Sequence, residues 1–177
     1  MSEKVQSRPC IGCGAIVPDI DGPNFRYPHA ASPGCWAIYG EVLAWEYSAL
    51  LPGGIHRLSV DCYAVQHPGS PTPQTIQSVN VHLLGLRCIL ERGYDFSRTT
   101  EMMSRATRMF KGHLEWLEPP PSKGDVTVLD VADAVDPEVH ARLVRRWADS
   151  AWQAWSAHHE VIRGLAKRLE GKVRTIR

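Results

Sequence analysis

The sequence predicts a mainly α-helical single domain over 1–177, with a helical bundle at 36–170 behind an irregular, cysteine-bearing loop at 8–35. Three observations carry this. Apolar residues recur at helical spacing through most of the chain after residue 32. Proline follows a cap-type residue at Ser32-Pro33, Thr72-Pro73 and Asp136-Pro137, the order in which helices begin. Residues 8–31 are instead rich in Gly, Pro, Asp and Asn and show no sustained period. A chain of 177 residues suits one domain with a real core and is short for two.

The first helix is expected in SPGCWAIYGEVLAWEYSALL, opened by Ser32 and Pro33 and closed by Pro52-Gly53-Gly54. A second, shorter helix fits HRLSVDCYAVQH and stops at Pro68-Gly69. TPQTIQSVNVHLLGLRCILERG repeats the start chemistry, with Gly93 closing it. TTEMMSRATRMFKGHLEWLE is a fourth helical pattern, ended by the prolines at 119–121. Val126–Leu129 has the look of a short strand, although one strand makes no sheet. A last helix opens at Asp136-Pro137-Glu138 and is expected to run to Leu169. No internal repeat or low-complexity tract interrupts the series.

A hydrophobic fraction of 44% and a charged fraction of 22% are those of a soluble globular protein. A formal charge of +1 supplies no field to recruit nucleic acid or an anionic membrane. The one basic concentration, IRGLAKRLEGKVRTIR, reads as a solvated helix end. No apolar run suggests a secretory signal or a membrane span. Five cysteines, an odd number, then argue for reduced thiols in the cytoplasm, used for metal or reactivity rather than disulfides.

Cys10 and Cys13 form a C-x-x-C pair followed by Gly14. Cys35 joins them because the predicted cap places it in the first turn of a helix, where the dipole and free N–H groups favour thiolate. Three thiolates converge if the loop folds back, and a tetrahedral zinc site then needs one more Cys or His. His29, six residues before Cys35, and His67, at the stop of the second helix, are the candidates, with Cys62 a weaker one. A thioredoxin-like redox role does not fit, since GAIVPDIDGP after the pair cannot stay helical.

The stretches CIGCGAIVPDIDGP, SPGCW, VDCYAVQHPG and WQAWSAHH together resemble a bacterial family of unknown function, whose short members open with a zinc-ribbon-like Cys-Pro-Gly-Cys-Gly. Ile11 stands where that opening usually has Pro. The resemblance implies His67, in the HPG motif, as the fourth ligand in preference to His29. It implies no reaction.

Four ionisable groups fall on apolar helix stripes: Glu46 among Tyr39, Val42 and Leu43; His82 beside Val79 and Leu86; His113 among Met109, Phe110 and Leu117; His158 with Ile162 and Leu165. Bundles build metal sites by aiming Glu and His inward. One expectation is therefore an interior catalytic site of Glu46, His82 and His158, aided by His113 or Asp61. It would hold a second divalent metal (zinc, iron or manganese) or use His82 and His158 as acid and base with Glu46 as ligand or base. The bland reading pairs each His with a backbone carbonyl, Glu46 with Arg57 or Arg87, and turns His159 to solvent. The tryptophans Trp147, Trp152 and Trp155 read as core. AWSAHHEVIRGLAKRL is also similar to the closing helix of DinB-like metal-dependent bundle enzymes, but the His-x-x-x-His spacing expected there is missing.

Two functional expectations follow. The first is a cytoplasmic zinc metalloprotein acting on a small-molecule substrate by hydrolysis or group transfer. The alternative is a zinc-stabilised binding or regulatory module without catalysis, meeting a protein partner or a second copy of itself. Cys35 as a reactive nucleophile is a third reading. Nucleic acid ranks last as a partner, because no basic recognition helix is visible.

Overall fold

The computed structural model describes residues 6–22 and 30–171. It is mainly helical, as the sequence predicts. A short antiparallel hairpin comes first, β1 (Ser7–Pro9) and β2 (Ile16–Pro18), paired Arg8 to Val17. Helices α1 (Pro33–Ser48), α2 (Gly53–Gln66), α3 (Pro73–Leu90) and α4 (Phe96–Met109) follow. After a long irregular segment come α5 (Val128–Ala132), α6 (Pro137–Ala154), a 3₁₀ turn (Ser156–His158) and α7 (His159–Gly171).

Helix α2 lies at the centre. From Leu58 to Gln66 nearly every residue is buried, because α3 and α6 pack on it and α1 and α4 touch it as well. A helix that is covered all round needs partners for its polar groups. Gln66 shows how they are supplied. Its amide donates to the carbonyls of Lys123 (3.0 Å) and Val126 (2.8 Å) and accepts from the Trp147 indole (2.8 Å). This side chain ties the irregular segment to the core. Helix α3 starts as read, with Thr72 Oγ1 accepting from the Thr75 N–H at 3.2 Å.

Four expectations are corrected. The front end is not wholly irregular: strands of three residues are too short to show a period, and the hairpin is visible only in three dimensions. Val126–Leu129 is no strand. The Asp130 carboxylate accepts from the Thr127 N–H at 2.7 Å, and this local bond opens the short helix α5 instead.

The fourth helix stops at Met109, and His113 is exposed rather than on the apolar face. The His113 N–H bonds the Phe110 carbonyl at 2.9 Å, a turn that carries the histidine away from the helix axis. The last helix is two helices. The Trp152 carbonyl accepts from the Trp155 N–H (3.1 Å) and the His159 ring (2.9 Å), a tightened turn that resets the phase. His159 is thereby buried, its ring stacked on Trp152 at 3.8 Å. His158 turns outward, half-buried, with Nε2 2.9 Å from the Glu118 carbonyl.

Candidate metal centre

Three elements bring four ligand-type side chains together. Between β1 and β2 the chain folds into a knuckle: the Cys10 N–H donates to the Ala15 carbonyl (2.8 Å) and the Gly14 N–H to the Cys10 carbonyl (3.0 Å). These bonds face Cys10 and Cys13 toward one point. Cys35 sits in the first turn of α1. Ser32, although positioned as its cap, turns its hydroxyl to accept from the Ile11 N–H at 3.0 Å, so the knuckle is stitched to the helix start. His67 caps the C-terminus of α2.

Among the described residues, the one group of three or more Cys, His, Asp or Glu whose ligand atoms all lie within 4.8 Å is Cys10, Cys13, Cys35 and His67. Cys10, Cys35 and His67 are buried and Cys13 is half-buried. His29, the other candidate, lies outside the described residues.

Three of the six ligand-atom separations match a tetrahedron, and the others lie within 4.8 Å. Zinc bonds of about 2.3 Å to sulfur and about 2.0 Å to nitrogen put ligand atoms about 3.8 Å (S–S) and about 3.5 Å (N–S) apart. Here Cys13 and Cys35 sulfurs are 3.9 Å apart, and His67 Nε2 lies 3.5 Å from Cys10 Sγ and 3.4 Å from Cys35 Sγ. The tautomer fits too. His67 Nδ1 donates to the Tyr63 carbonyl at 2.7 Å, leaving the Nε2 lone pair for the centre. The Tyr63 hydroxyl donates to Cys35 Sγ at 3.5 Å, and its ring lies between Tyr39 (3.7 Å) and His67 (4.0 Å). Gly12 completes the enclosure: a Cβ there would stand 2.3 Å from His67 Cδ2 and 2.5 Å from the Ala30 carbonyl oxygen.

Electrostatics favour a charged cluster. Hydrogen bonds from the Cys13 and Cys35 thiols hold Cys10 far below the ordinary thiol range. Cys35, tied up first with Cys10 and then with Cys13, is pushed far up. Burial opposes a charged His67, yet its bonds to Cys10 and Cys13 raise it to about 9. A divalent cation would replace the protons that this cluster shares. With four protein ligands the arrangement is closed, the pattern of a structural site rather than a catalytic one.

Glu46, His82 and His158 have separate partners. Glu46 is sealed in the core, where Oε1 receives His140 Nε2 at 2.9 Å and the Ser59 hydroxyl, and Oε2 receives His56 Nδ1 at 2.8 Å. Burial alone would raise its pKa. The bonds from His140, Ser59 and His56 outweigh burial and lower it. His82 Nδ1 lies 2.7 Å from Asp61 Oδ1, and burial holds that carboxyl above the usual range. Neither Arg57 nor Arg87 is the partner of Glu46. The sequence reading missed His56 and His140. His56 follows Glu46 by ten residues across the α1–α2 corner, a proximity that helical wheels do not register.

Comparison with known families places this chain. The model of a family of unknown function, DUF5946, matches residues 8–156. The chain belongs to DUF5946. The matched span holds all four clustered side chains, together with Glu46, Asp61 and His82; the His158-His159 pair lies beyond it. DUF5946 carries no assigned activity. No curated protein and no solved structure matches the chain. No helix among the described residues is long and apolar enough to cross a membrane.

Proposed function

We propose that this DUF5946 chain is a cytoplasmic zinc-stabilised binding module, in which Cys10, Cys13, Cys35 and His67 hold one structural zinc. The convergence of these four ligand atoms within 4.8 Å, with three pairs at tetrahedral spacing, is the observation that carries the reading. Zinc would join the hairpin, the start of α1 and the end of α2, an arrangement that a three-residue-per-strand hairpin cannot maintain alone. Elemental mass spectrometry on untagged protein tests it. One zinc per chain, lost in Cys10→Ser, is expected. Full zinc retention in Cys10→Ser, or a metal-free wild type that keeps its fold under chelators, would refute it.

A second reading assigns chemistry to His82. Its support is the Asp61 carboxylate, which orients the imidazole from a fully buried position while the His82 side chain stays 15% exposed. Under this reading His82 acts as a general base on a small-molecule substrate, and Glu46 and His158 act only through the fold. A hydrolase screen comparing wild type with His82→Gln tests it: an activity that survives the substitution would remove His82 from the chemistry.

A further inference from the structure

At the end of α2 opposite His67, the starts of α2, α4 and α6 surround an open apolar cleft of about 480 Å³. Leu51, Ile55, Leu58, Ile89 and Phe96 line it, and Glu138, Ala141 and Arg145 of α6 form one wall. Immediately before Leu51 in the chain stands Leu50, 88% exposed with φ +51°. A bulky side chain disfavours that left-handed backbone, and exposed leucine gains nothing from folding to offset it. Phe96, in the lining, is also exposed. An exposed apolar side chain thus adjoins, in the chain, the lining of an apolar cleft.

The charges on the wall are of opposite sign. Glu138 and Arg145 are seven residues apart on α6, about 10.5 Å along one face, with the small Ala141 between them. Neither forms an ion pair among the described residues. Such an order is self-complementary. When two copies of α6 cross antiparallel at Ala141, each Glu138 meets the other copy's Arg145. Asp95 on the opposite lip is already engaged as the α4 cap, its Oδ1 2.8 Å from the Arg98 N–H.

We propose that the cleft is a homodimer interface, in which Leu50 of each copy enters the cleft of the other and Glu138 pairs with Arg145 across a two-fold axis. The inference stands apart from the metal centre, which lies at the far end of α2.

Sedimentation velocity on the full chain, over a wide concentration range, tests it. Wild type is expected to self-associate. Leu50→Asn, which accepts the left-handed backbone, should raise the melting temperature of the monomer while weakening association by at least about tenfold. Glu138→Arg and Arg145→Glu should each weaken association alone, by placing like charges opposite. Mixed together they should recover it as a heterodimer with both pairs restored. A wild type that stays monomeric throughout would overturn the proposal and leave the cleft to another occupant. So would a dimer indifferent to Leu50→Asn, or a mixture that associates no better than either variant alone.

Discussion

Gly12→Ala is the sharpest probe of the proposed metal centre, because it adds a single methyl group to a residue that is not itself one of the four clustered side chains. The new Cβ would lie 2.3 Å from His67 Cδ2 and 2.5 Å from the Ala30 carbonyl oxygen. Non-bonded carbons rest about 3.5–4.0 Å apart. The imidazole or the knuckle must therefore retreat by more than about 1 Å, whereas metal–ligand bonds tolerate about ±0.2 Å. His67 is then lost as a ligand or held off-axis, and affinity should fall by about 100-fold or more, roughly 2.7 kcal/mol. Gly14→Ala is the control. It has φ +79° but open space around its Cβ, so it should cost about 1–2 kcal/mol of stability and leave the ligands in place. Competition with a chromophoric chelator reads both affinities. Gly12→Ala binding zinc within about threefold of wild type, a difference under about 0.7 kcal/mol, would refute the placement of His67.

Other expectations concern the core. Glu46→Gln strips a buried carboxylate from His140, His56 and Ser59 and should cost about 3–5 kcal/mol in chemical denaturation. The Glu46 pKa is lower in the folded chain than in the unfolded one. Its contribution is therefore complete above the ordinary glutamate range and fades as pH falls through the folded value; acid titration of Glu46→Gln should lack that component. Gln66→Ala leaves two loop carbonyls and the Trp147 indole without partners, so hydrogen exchange over 119–127 should accelerate, with a stability loss of roughly 3 kcal/mol. His159→Ala should destabilise by about 2 kcal/mol or more through the lost Trp152 stack, whereas His158→Ala should cost under about 1 kcal/mol; thermal melts distinguish them.

The helices were legible where punctuation is local. Ser32-Pro33, Thr72-Pro73 and Asp136-Pro137 mark three starts correctly, since a cap and a fixed φ act within one turn. The thiol set Cys10, Cys13 and Cys35 was legible for the same reason, from short spacing and a helix start. What escaped depends on phase or on distance. A tightened turn at residues 155–158 exchanges the faces of His158 and His159, and no propensity announces it. His140 meets Glu46 across 94 residues, through the packing of α6 on α2, which a one-dimensional pattern does not contain. The Thr127–Asp130 box is present in the sequence, but the β-branched residues around it give the stronger strand signal.

The spacing of the four clustered side chains also has a consequence for the order of assembly. Cys10 and Cys13 are three residues apart, so a nascent chain offers a two-thiol chelate with little search. Cys35 follows after closing a loop of 22 residues, and His67 arrives only when α2 has formed and docked, 32 residues later still. Loop-closure entropy rises slowly with length, so the slow event is making the helix rather than bridging the distance. If the thiols bind a cation early, His67 would be available to it only once α2 has docked. Addition of the fourth ligand and the last step of core formation would then be one kinetic event, measurable as a single rate.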